Sequence, residues 1–277
     1  MGRFLTMNSL DLFEKLASYT WQRILSSEKF NISQGEETIT DLNLLEIAMS
    51  QSSEVKVVKT AKYKEKDQGT DWEWWIGNNR IGYLRYAVQA KKIDKQFINY
   101  KALGHKVDSE QQIDILERYA KVNRAIPLYC FYNYSQNTDL SPYWHCDLQL
   151  NKEQFGCTVT PLKNVKQALR ERGKRTFNFL HGFDSTKPWR CLVRCPSLRQ
   201  VYKYGTATGT SWDFDNVFVY RRLPLSLSNA IEMNSEFRPS DHRIQKDGNI
   251  HDIEENNFYG DFYPKRIVVA NYLGENI

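Results

Sequence analysis

Apolar residues recur at helical spacing twice near the start of the chain. Leu10, Phe13, Leu16 and Ile24 define one face of an amphipathic helix over residues 9–27. The polar stretch NISQGEE breaks that pattern, and Ile39, Leu42, Leu45, Ala48 and Met49 mark a second helix at about 37–50. Thr38 or Thr40 could cap it, and the acids of its first turn suit the positive end of the helix dipole. The period then shortens to two. EVKVVKTAKY reads as a strand. In TDWEWWI, Asp71, Glu73 and Trp75 fall on one side, with Trp72, Trp74 and Ile76 on the other. GNNRIG is a turn signal. YLRYAVQAKK alternates Leu84, Tyr86, Val88 and Ala90 against Arg85, Ala87, Gln89 and Lys91. A helix at about 109–122 follows, and IPLYCFYNY reads as a buried strand opened by Pro127.

Three strands joined by short links suggest an antiparallel meander, and a helix between strands suggests a crossover to a parallel neighbour. The expected fold is therefore α/β, a mixed central sheet flanked by helices. Residues 1–29 form an N-terminal helix on a core at 30–136. The less periodic stretch 137–277 is either an extension or part of the same domain. It holds a basic helix, KNVKQALRERGKR, and the strands NVFVYRRL and RIVVANYL.

Composition narrows the function. At 41% hydrophobic and 26% charged, the 277 residues suit an ordinary globular protein, and a net charge of +5 permits a polyanionic partner without requiring one. No apolar run reaches the roughly 18 residues of a membrane span, and no secretory leader is expected. Five cysteines, an odd and sparse count, fit a reducing cytoplasm. His145, Cys146, Cys157, Cys191 and Cys195 are too scattered for a zinc knuckle, so buried thiols are expected. The absence of a G-x-x-x-x-G-K-[ST] loop and of a G-x-G-x-x-G run disfavours NTPases and dinucleotide enzymes.

If the strands flanking GNNRIG pair, Asp71, Glu73, Gln89 and Lys91 converge, and Glu37 at the start of the second helix can reach the same place. Carboxylates with an amide oxygen are hard ligands suited to Mg²⁺ or Mn²⁺. A lysine beside them can hold water and stabilise a charged phosphate transition state. The bland alternative is a surface ion pair on facing strands. Trp72 and Trp74 are expected in the core, and Trp75, on the acids' side, is a candidate base-stacking surface. KNVKQALRERGKR carries six basic residues and one acid. Lys163, Lys166 and Arg170, with Arg175 beyond, could track a phosphate backbone. A solvated helix face is the alternative.

The segments EETITDLNLLEIA, GTDWEWWIG, YAVQAKKI and IPLYCFYNY resemble a family of uncharacterised bacterial proteins patterned E-T-x-x-T, (A/T)-D-W-E-W-W, V-Q-A-K and P-L-Y-x-x-Y. That order is similar to the PD-(D/E)XK nuclease superfamily, whose fold is restriction-endonuclease-like. The resemblance implies Glu37 as the helix acid, with Glu36 as the fallback, Asp71 as the principal metal ligand, and Gln89-Ala90-Lys91 as the third motif. Mg²⁺ or Mn²⁺ would then sit among Glu37, Asp71 and Gln89, with Lys91 completing the catalytic set. Gln89 departs from the commoner Asp or Glu, although methyl-directed type IV restriction enzymes are similar in using Q-X-K. The implied activity is phosphodiester hydrolysis, in DNA, with a place in bacterial defence. A nucleic-acid-binding or protein-interaction protein without catalysis is the alternative, and a homodimer or a protein partner is left open.

Overall fold

The computed structural model describes residues 7–60, 68–196, 198–204, 212, 214, 217–236 and 263–273. In chain order its elements begin α1 (Ser9–Lys29), α2 (Glu36–Met49), β1 (Val55–Lys59), β2 (Gln68–Thr70), β3 (Trp72–Asn78), β4 (Gly82–Lys92), β5 (Lys106–Val107) and β6 (Glu110–Gln111). There follow α3 (Gln112–Val122), β7 (Ile126–Tyr132), β8 (Cys157–Pro161), α4 (Leu162–Arg170), α5 (Phe177–His181), β9 (Lys187–Pro188) and α6 (Cys191–Arg194). The remainder is α7 (Leu198–Tyr204), β10 (Val219–Tyr220), α8 (Leu225–Glu232), β11 (Tyr263–Pro264) and β12 (Arg266–Asn271).

The central sheet runs β1-β12-β3-β4-β7-β8-β9, with β10 added against β4. It is mixed, and helices flank it, as the sequence pattern predicts. β3 and β4 pair antiparallel from Trp72↔Val88 to Asn78↔Gly82. β4 and β7 pair parallel, with α3 in the crossover between them. Gly82 closes the β3–β4 turn at φ 91, and a Cβ there would stand 2.7 Å from the Tyr220 carbonyl of β10. Glycine meets both demands.

The three-strand meander is not formed. β12 lies between β1 and β3, antiparallel to the first and parallel to the second. The reason lies in the side chains. Ile267, Val268, Val269 and Ala270 are all buried, so this strand needs cover on both faces and both edges. β1 exposes Lys56 and takes the sheet edge, where a charge discourages further pairing. β8, β9 and β12, all from the stretch after residue 136, are strands of this same sheet.

α1 covers one face of the sheet. Phe13 meets Trp74 and Trp189 at ring separations of 6.2 and 5.1 Å, and Trp72 packs edge-on to Trp74 at 4.9 Å. α3 covers the other face, where Tyr119 reaches Glu73. Two helix boundaries differ from expectation. α2 is capped by the Gly35 backbone rather than by a threonine, so Glu36 and Glu37 occupy its first turn, and Thr40 bonds back to the Glu36 carbonyl. α4 stops at Arg170, and Gly173 (φ 80) follows in a turn. Of NVFVYRRL, the described strand is Val219–Tyr220.

Candidate active site

Asp71 immediately precedes β3 and is hydrogen-bonded through its backbone N–H to the Val88 carbonyl. That bond aims the Asp71 carboxylate at the far end of β4. There its Oδ2 accepts from the Ala90 N–H (2.9 Å) and from the Gln89 side-chain amide. Lys91, 1% exposed, extends to the start of α2 and meets Glu36 Oε1 at 3.0 Å. Lys265, between β11 and β12, stands 3.7 Å from Asp71 Oδ1 and 3.2 Å from Glu37 Oε1. Asp71, Ala90, Glu36, Glu37 and Lys265 line a cleft of about 150 Å³ with Thr40, Asp41 and Arg266, and the buried Gln89 and Lys91 side chains are bonded to Asp71 and Glu36 from behind that lining.

Burial pushes the Asp71 carboxyl above the usual aspartate value, and Lys91, the Ala90 N–H and Lys265 offset only part of that. A half-buried carboxylate that its neighbours do not fully compensate favours an added cation. The donor set is Asp71, Glu36 and, with its amide turned, the Gln89 oxygen. Among the described residues no group of three His, Cys, Asp or Glu side chains could hold a metal. Two carboxylates nevertheless fit Mg²⁺, which keeps several waters and is completed by substrate phosphate oxygens.

Asp71, Gln89 and Lys91 thus come together as the alternation predicts. Of the two helix acids, Glu36 is the partner of Lys91, whereas Glu37, its side chain 78% exposed, lies at the outer lip against Lys265. Glu73 is not in the cleft. It is fully buried under α3, bonded to Arg85 (2.7 Å), to the Tyr119 hydroxyl (2.7 Å) and to the Trp75 indole N–H (2.6 Å). It therefore neither supplies charge to the site nor pairs with Lys91. Trp75 is wholly buried in the same cluster, which removes it as a base-stacking surface. Lys265 and Arg266 are not legible as site residues from the sequence, because only the β12–β3 pairing brings them there.

The basic residues are split. Lys163 and Lys166 line a second cavity of about 640 Å³ with Lys121, Arg124, Glu117 and Phe218. Lys166 is paired to Glu117 at 2.5 Å. Arg170 is exposed at the end of α4, and Arg175 lies beyond the helix, its guanidinium over Gly104. All five cysteines are free thiols, with Cys130, Cys157, Cys191 and Cys195 buried and Cys146 partly so.

Residues 10–259 match the model of a family of unknown function, DUF6615. The chain belongs to this family. No curated protein and no solved structure shows significant similarity to the chain. No helix among the described residues is long and apolar enough to cross a membrane.

Proposed function

We propose that the chain is a metal-dependent nuclease hydrolysing phosphodiester bonds, with DNA as its substrate, in a reducing cytoplasm. The observation that carries this reading is the meeting of Asp71 and Glu36 at one cleft, with the buried Gln89 and Lys91 side chains of β4 bonded to them. A bound Mg²⁺ or Mn²⁺ would polarise the phosphate and lower the pKa of a coordinated water. Asp71 and Glu36 would hold it, with Gln89 contributing an amide oxygen. Lys91, buried and paired with Glu36, would bring its ammonium beside the metal-holding carboxylates, where it can hold a water or meet charge developing on phosphate oxygens. Lys265 and Arg266 at the mouth favour entry of a polyanion.

A second reading, nucleic-acid binding without cleavage, rests on a specific feature. Asp71 already accepts from Gln89 and Ala90 and lies beside Lys265, so its charge has partners without a metal. One experiment separates the two. Supercoiled plasmid is incubated with the protein and Mg²⁺ or Mn²⁺, with and without EDTA. Nicking abolished by EDTA supports the nuclease. A mobility shift without nicking supports the binder. Neither outcome, at any salt concentration tried, overturns both.

A further inference from the structure

The segment between β7 and β8 carries Cys146 over the start of α6. The Cys191 sulfur lies 3.0 Å from the Cys146 sulfur, and the Cys191 and Cys195 thiols are also within hydrogen-bonding reach of each other. Cys195 donates to Asp147 at 3.4 Å. The Arg190 guanidinium is 3.8 Å from the Cys146 sulfur and is anchored by Glu14 (2.6 Å) and the Gln149 carbonyl (3.1 Å). Lys187 holds the His145 carbonyl, and the His145 ring bonds the His181 carbonyl at 3.0 Å. The backbone on both sides of Cys146 is thus pinned against the body of the protein, with its sulfur facing Cys191.

We propose that Cys146 and Cys191 are a peroxide-reactive thiol pair that closes to a reversible disulfide, with Cys146 as the attacking sulfur and Cys191 as the resolving one. The two positions differ in the way these roles require. Cys146 is only partly buried, so a small oxidant can reach it. Cys191 donates its S–H to the Cys146 sulfur, and with Arg190 beside it the Cys146 thiol falls to about 6, so the thiolate prevails at neutral pH. Burial drives the Cys191 thiol up, which keeps it a protonated donor until its partner has reacted.

The chemistry closes with hydrogen peroxide as the oxidant. The Cys146 thiolate attacks one peroxide oxygen. An S–O bond forms, the O–O bond breaks, and hydroxide leaves to become water. The Cys191 sulfur then attacks the sulfenic sulfur. The S–S bond forms, the S–O bond breaks, and the departing hydroxide takes the Cys191 proton as a second water. Two thiols and one peroxide give one disulfide and two waters. Cys130 and Cys157 take no part, since burial raises both thiols and neither touches this cluster.

The test uses the full chain, reduced and desalted, then exposed to one equivalent of hydrogen peroxide. Thiols are alkylated in denaturant, and the peptides are mapped without reduction. The expected result is the loss of two alkylatable thiols, a Cys146–Cys191 linked peptide, and recovery of both thiols with dithiothreitol. Cys195→Ser should form the same link. Cys191→Ser should leave a Cys146 sulfenic acid that dimedone captures. Full alkylation of all five thiols after peroxide would overturn the proposal, as would a link mapping to Cys191–Cys195 or between two chains. A dimedone label on any cysteine but Cys146 would overturn the assignment of roles. The wild-type map decides the question even where a variant fails to fold.

Discussion

Asp71 sits where a charge weakens the fold, and under the proposed function that same charge holds the metal. Because burial holds its carboxyl above the ordinary value, the native chain binds this proton more readily than the unfolded chain does. Stability from this group therefore falls as pH rises through the interval between the two values, and the penalty is absent below the ordinary carboxylate range. Asp71→Asn should accordingly melt higher than wild type at neutral pH. The gap should close on acidification, and metal-dependent nicking should disappear. Melting curves that superimpose at every pH would contradict this account of Asp71. Lys91 should behave differently, since it offers no metal ligand. Lys91→Ala should keep metal affinity by calorimetry while nicking drops by about a hundredfold, the scale of removing one preorganised group that stabilises the transition state. Asp71, Gln89 and Lys91 are legible in the sequence because strand alternation fixes which side chains share a face. Which of the two helix acids, Glu37 or Glu36, meets Lys91 is not legible in the sequence, because the cap is a glycine backbone, which leaves no side-chain signature.

Between β3, β4 and α3, the pair Glu73–Arg85 shows what an element-scale pattern hides. Alternation places Glu73 on the same side as Asp71, and the parity is right. But α3 closes over that side within one residue pair, so Glu73 enters a sealed cluster while Asp71 opens to a cleft. Removing one partner of such a pair leaves a buried charge uncompensated. Glu73→Ala should cost about 3–5 kcal/mol of unfolding free energy in urea titrations. Replacing both Glu73 and Arg85 by Met should recover most of that loss; a double variant as unstable as the single would locate the cost in the Tyr119 and Trp75 hydrogen bonds instead. The basic helix is a second case. Six basic residues in thirteen suggest one face, but α4 ends at Arg170, and Lys166 is already paired with Glu117. Each of Lys163, Lys166, Arg170 and Arg175 that neutralises a DNA phosphate should, when changed to Ala, lower the slope of log K against log salt by about 0.9. The quadruple variant should fall short of the full fourfold decrease. An unchanged slope would make this face merely solvated.

At the scale of the whole molecule, the layers and the mixed sheet are legible in the sequence, while the order of strands is not. Local periodicity reports which residues are buried and says little about which distant strand supplies the cover. The VKVVK of β1 and the IVVA of β12 both read as strands, yet only the need of four consecutive apolar residues for neighbours on both edges explains why β12 goes inside. A chain cut before residue 263 should lose β12 and Lys265 together, and with them both the cooperative melt and any binding at the cleft. A sharp thermal transition in that truncation would show that β1 and β3 can close on each other. The same insertion bears on how the protein is made. While residues 266–271 are still inside the ribosome, β1 and β3 have emerged with the gap between them unfilled, and the lysine at the mouth of the cleft is missing. Under the proposed function, the chain would then be harmless to its own messenger and to the ribosome producing it until β12 slides into place.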